Sequence, residues 1–73
     1  MSLIVVLDSS PVGMITNPRA TSANEACRLW LRVLLSDGIR VVLPEIVDYE
    51  IRRELVRGDK SAGLDRLNSL KNL

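Results

Sequence analysis

The chain has 73 residues and a formal net charge of +1, enough for one small domain that buries only roughly 60% of its unfolded surface. With a single cysteine, Cys27, and no histidine, an internal disulfide, a zinc cluster and a Ser-His-Asp triad are excluded, and a nucleic-acid role would need a local basic patch. No apolar run nears the ~20 residues that span a bilayer, and no basic stretch precedes the N-terminal apolar run, so the expectation is a cytoplasmic chain with no membrane contact.

Residues 3–7, Leu3-Ile4-Val5-Val6-Leu7, read as the first strand. The run does not alternate, which predicts burial on both faces, as in a parallel sheet covered by helices. Asp8 stands at the carboxyl end of that strand, the edge where open α/β sheets bind ligands. A carboxylate there needs a metal, a cation or backbone donors. It reads either as a residue closing the Ser10-Pro11 turn or as a ligand for Mg²⁺ or Mn²⁺. Pro11, Gly13, Asn17 and Pro18 then break regular structure, with room for a short helical turn over residues 12–15. Ser9, Ser10 and Thr16 bring hydroxyls towards Asp8 that can hold a carboxylate or a metal-bound water, or simply close the turn. No base is present to make them nucleophiles.

Ser22-Ala23-Asn24-Glu25 has the form of a capping box. Ala23, Ala26, Cys27, Trp30, Leu31, Leu34 and Leu35 follow at helical spacing. The pattern predicts a helix over residues 22–37, ended by Gly38, with Cys27, Trp30 and later Tyr49 packed in the core. Residues 39–43 are the second strand, which makes a right-handed βαβ unit with parallel strands. Pro44 opens a helix to about Val56, with Ile46, Val47, Ile51 and Leu55 on its apolar side. Glu45 and Asp48 in its first turn suit the helix dipole. A last helix over residues 60–71 carries Leu64, Leu67 and Leu70. The order is β-α-β-α-α, an α/β fold with a short parallel sheet. Two strands alone are rarely stable. The sheet is therefore expected to be completed by another chain, giving a homo-oligomer through the sheet edge.

Glu50 is the second acidic candidate. It lies one turn beyond Ile46 and Val47, partly on the inward face, where a glutamate is unusual unless paired or liganded. Both strands of a βαβ unit end at the same edge, so Asp8 and Glu50 can meet there. Surface pairing with Arg53, or alongside Glu54 and Arg57, is the alternative. Arg52, Arg53, Arg57 and Lys60 form a basic run interleaved with acids, either a solvated face or a set of phosphate contacts.

Two stretches resemble the PIN domain family. Ile4-Val5-Val6-Leu7-Asp8-Ser9-Ser10-Pro11-Val12-Gly13 is similar to its opening, an apolar strand followed by Asp and then Ser or Thr. Val41-Val42-Leu43-Pro44-Glu45-Ile46-Val47-Asp48-Tyr49-Glu50-Ile51-Arg52-Arg53-Glu54-Leu55 is similar to its second block, where a glutamate follows strand two by about two helical turns. The resemblance implies a three-layer fold with helices on both faces of a parallel sheet. It implies the activity of Mg²⁺- or Mn²⁺-dependent ribonucleases, many of them toxins of toxin–antitoxin pairs. Asp8 and Glu50 would be the catalytic metal ligands, Arg52, Arg53 and Arg57 would hold phosphates of RNA or DNA, and an antitoxin would be a partner. Carboxylate-held metals generate hydroxide and stabilise a leaving oxygen without histidine.

The resemblance covers nearly all of residues 1–73, as a truncated single PIN-like domain: the first half of the family's usual one. The family's further acidic residues would fall after Leu73, and Asp59 and Asp65 do not replace them. Two expectations follow: a shortened or split nuclease, or a non-catalytic protein that oligomerises or binds a partner. Phosphate transfer fits less well. A haloacid-dehalogenase-like site wants Asp where Ser10 stands, and Gly13 alone makes no phosphate loop.

Overall fold

The computed structural model describes residues 3–72. In chain order the elements are β1 (Ile4–Val6), α1 (Ser9–Thr16), α2 (Ser22–Ser36), β2 (Arg40–Val42), α3 (Glu45–Arg57) and α4 (Ser61–Lys71). The strands are parallel, with Ile4 opposite Arg40, Val5 opposite Val41 and Val6 opposite Val42. The Leu7 amide extends the ladder, donating to the Val42 carbonyl at 2.9 Å.

Side chains alternate across a strand, and here the two faces differ. Leu7 is buried, and Val5, Val41 and Leu43 pack against the core beside it. Val12 and Ile15 of α1, Leu31 of α2, Val47 of α3, and Leu67 and Leu70 of α4 complete that core. On the opposite face Ile4 and Val6 are 58% and 63% exposed. The expected double burial of the first strand therefore does not occur. Every helix of the described residues contributes side chains to the one core beside the two-stranded parallel sheet.

Helix α1 is longer than the sequence suggests. Asp8 takes an extended N-cap conformation, and its carboxylate accepts the Ser9 amide at 2.8 Å. Pro11 falls in the first turn, where a helix has no use for its missing N–H. The Asn17 amide closes the last turn on the Gly13 carbonyl at 3.1 Å, and Pro18 stops propagation.

Helix α2 begins as predicted but is capped differently. Thr21, not Ser22, is the N-cap, with Oγ1 accepting the Asn24 amide at 3.1 Å. Glu25 pairs with Arg28 instead of reaching back. The buried Asn24 side chain donates to the Arg19 carbonyl at 3.1 Å, and Arg28 donates to the Asn17 carbonyl at 2.7 Å, which ties the α1–α2 loop to α2. Gly38 (φ +73°) reverses the chain into β2 in a left-handed conformation that favours glycine.

Trp30 and Tyr49 are not core residues: they are 41% and 60% exposed. The apolar arc of α2 is wider than the surface that receives it. Leu31 is buried with Cys27 and Leu34 beside it, whereas Ala26, Leu29, Trp30 and Val33 face outward. On α3, Val47 is buried and Ile51 and Leu55 are partly so, while Ile46 lies on the outer side with Tyr49. Helices α3 and α4 approach closely at Gly63, where a Cβ would stand 2.6 Å from Cδ2 of Leu55. No helix among the described residues is long and apolar enough to cross a membrane.

Candidate functional site at the carboxyl edge of the sheet

Parallel strands end at a common edge, and both α1 and α3 start there. Asp8 caps α1, and α3 begins with Glu45 directly after Pro44. The two helices are in contact with each other. Farther along, Gly13 and Thr16 of α1 and its C-cap Asn17 line a cavity of about 440 Å³ with Ile51, Glu54 and Leu55 of α3. Glu54 is therefore on the flank of α3 that faces α1. Glu50 sits four residues earlier on the same flank, one turn nearer the end where Asp8 stands.

Glu50 is exposed, not turned into the core as its spacing from Ile46 and Val47 suggests. Ile46 is what misleads the spacing, because it is itself 62% exposed. Asp8 is exposed as well, with one carboxylate oxygen engaged by the Ser9 amide. Among the described residues no three acidic, histidine or cysteine side chains gather as a metal-ligand group.

The buried acid is Asp48, which the sequence pattern assigns to the helix dipole. It is 8% exposed and points to the other flank of α3. Its two oxygens accept from Arg52 Nη2 at 3.0 Å and Nε at 3.2 Å. Arg52 Nη1 donates in turn to Asn68 Oδ1 of α4 at 2.8 Å. The Arg52 hydrogen bonds hold the Asp48 carboxyl below the usual aspartate range, against the opposing effect of burial, with Lys71 adding a smaller pull in the same direction. The Asp-x-x-x-Arg spacing of an ion pair one helical turn apart was the available signal for this clamp.

Of the three arginines expected to hold phosphates, Arg52 is thus committed to the α3–α4 junction. Arg53 is exposed. Arg57 is exposed and lies 3.6 Å from Glu54. Thr16 lies at the far end of α1 from Asp8, where its hydroxyl donates to the Val12 carbonyl at 2.9 Å. Cys27 is half-buried with Sγ 3.6 Å from the Pro11 carbonyl, and burial pushes its thiol up, away from thiolate chemistry.

Comparison with protein-family models, with curated proteins and with solved structures finds no match.

Proposed function

We propose that the chain is a PIN-like nucleic-acid-processing protein that works with Mg²⁺ or Mn²⁺, Asp8 and Glu50 being the protein's metal ligands. The observation that carries this reading is the shared origin of α1 and α3. That origin lies at the edge where α/β sheets bind ligands. Asp8 caps α1 there with an exposed carboxylate, and Glu50 is exposed in the second turn of α3. The donor set fits a hard cation. Both side chains offer carboxylate oxygen, Asp8 keeps one oxygen free of the Ser9 amide, and Mg²⁺ is commonly held by one or two carboxylates with waters and substrate phosphates.

A bound metal would supply an activated water and charge stabilisation at the phosphodiester. The protein's own part is positional. The Asp8 carboxylate is pinned by its cap, and exposed Arg53 and Arg57 offer charge for the RNA backbone. The deciding assay is RNA cleavage with Mg²⁺ or Mn²⁺ by the wild type, Asp8→Asn and Glu50→Gln. Cleavage that is absent, or that survives both substitutions, defeats the reading. An antitoxin-like protein would be the regulatory partner of such a nuclease.

A second reading, a non-catalytic protein that oligomerises through its sheet, is favoured by the uncovered face bearing Ile4 and Val6. Each strand of the two-stranded sheet is also an edge strand, and an open edge is a template for pairing with another chain. It requires a dimer or larger assembly in solution, and a monomer across the accessible concentration range by light scattering rules it out.

A further inference from the structure

We propose that the cleft between α1 and α3 is a subsite for single-stranded RNA, in which Arg19 and Lys60 hold a backbone phosphate at the end remote from Asp8 and Glu50. The proposal rests on the metal-site reading above and extends it to a second binding region. The cavity of about 440 Å³ lies between the later turns of the two helices that start at the carboxyl edge. Helix α1 has eight residues. At ~1.5 Å per residue it is about 12 Å long, the span of roughly three stacked nucleotides.

Arg19 and Lys60 line the far end of this cavity, both exposed, and neither joins an ion pair among the described residues. Arg52 is committed to Asp48 and Asn68, so the cations best placed to follow a strand leaving the acidic edge are these two. The backbone that carries Arg19 is fixed. Its amide donates to Asn17 Oδ1 at 3.0 Å, and its carbonyl accepts from Asn24 Nδ2 at 3.1 Å and Arg28 Nη2 at 3.3 Å. A cation springing from an anchored loop loses less freedom on binding than one on a mobile loop.

Open space lies beside Gly13. A Cβ there would meet nothing within 4 Å, so the space beside it is available to a ligand. Ile51 and Leu55 supply an apolar wall for sugar and base edges. Glu54 is the one carboxylate lining the cavity, and the Arg57 guanidinium 3.6 Å away offsets it. The lining therefore carries a net positive charge, complementary to a phosphodiester.

The test is fluorescence anisotropy of labelled single-stranded RNA, a hexamer and a dinucleotide, in chelator so that no turnover is needed. The proteins are the wild type, the double variant Arg19→Ala/Lys60→Ala, Gly13→Leu, and Arg40→Ala as a single-charge control at the opposite edge of the sheet. Thermal melts check that each variant folds. The double variant is expected to bind the hexamer about 10-fold more weakly, with the salt slope reduced by about 0.7 for each phosphate no longer neutralised. Gly13→Leu should also weaken hexamer binding, and the dinucleotide, too short to span the cleft, should bind every protein more weakly than the hexamer. Hexamer affinity and salt slope equal in the wild type and the double variant overturn the subsite, as does an equal loss in Arg40→Ala. Loss of cleavage in Asp8→Asn together with that outcome removes the subsite and leaves the metal reading standing. Cleavage indifferent to Asp8→Asn, with binding dependent on Arg19 and Lys60, removes the metal reading and leaves the cleft as an RNA surface.

Discussion

The Asp48–Arg52–Asn68 clamp lends itself to a quantitative test, because it joins α3 to α4 through a carboxylate that is almost out of water. The side chains of Asp48 and Arg52 are 11% and 32% exposed. Hydrogen bonds to charged groups contribute about 1.5–3 kcal/mol, and breaking a fully buried ion pair costs about 3–5 kcal/mol. Arg52 stays in touch with solvent and with Asn68, so the lower end applies: Asp48→Asn should cost about 2 kcal/mol. For a domain of this size that lowers Tm by roughly 8–16 °C. The pH dependence is the sharper readout. Asp48 has its folded-state pKa depressed, so its stabilisation is fully present above the ordinary aspartate range and is lost as pH falls through the folded value. Urea titrations of wild type and Asp48→Asn should differ by a constant amount above about pH 5 and converge below about pH 4. Arg52→Ala strands the carboxylate, so its penalty should shrink as acid protonates Asp48. A gap that persists unchanged down to pH 2, or a penalty below about 0.5 kcal/mol at neutral pH, would refute the clamp as a stabilising element.

Other substitutions probe the remaining assignments. Thr21→Ala should cost about 1 kcal/mol through loss of the cap, whereas Ser22→Ala should be nearly neutral, and reversed values by denaturant titration would restore the capping box. Gly63→Ala should destabilise by about 1 kcal/mol, because displacing Leu55 outweighs the gain in helix propensity. A Leu55→Val change made with it should relieve part of that loss, and strict additivity argues against the close approach. Trp30→Ser should cost less than the ~3–5 kcal/mol of a core tryptophan, and the indole should be open to acrylamide quenching. Quenching that diminishes as protein concentration rises would instead support association through the outer face of α2.

Much of the architecture is legible because punctuation and spacing act locally. Gly38, Pro44 and Gly58 mark the ends and starts of elements, and the apolar repeats of α2, α3 and α4 give their type. The errors share a cause. Spacing shows that a helix has an apolar arc, but which part of the arc meets a neighbour depends on partners distant in sequence. Trp30 and Leu31 are adjacent in sequence, yet only Leu31 reaches the core. Ile46 and Val47 divide the same way, and the misplacement of Ile46 extends to Glu50. Pro11 reads as a breaker in the sequence because its place in the first turn depends on Asp8 being the cap, a fact about geometry rather than composition.

Asp8 joins the structural and functional arguments, and its two roles can be separated. As an N-cap it accepts one amide, and asparagine caps about as well as aspartate, while alanine loses about 1 kcal/mol. Asp8→Asn should therefore keep the melting temperature within a few degrees of wild type while removing the charge that a divalent cation needs. Asp8→Ala should lower both. Glu50 is exposed, so Glu50→Gln should move stability by less than about 0.5 kcal/mol. If the pair holds a metal, Asp8→Asn and Glu50→Gln each abolish Mg²⁺-dependent cleavage and weaken Mn²⁺ binding by calorimetry, at unchanged Tm. If Asp8 is a cap and nothing more, Asp8→Asn is silent in every assay and only Asp8→Ala registers, as a loss of stability. The cap explains why the chain has a carboxamide or carboxylate at that position, but it does not require the charge. Whether the charge matters is therefore a question about function, and the asparagine variant answers it without disturbing the fold.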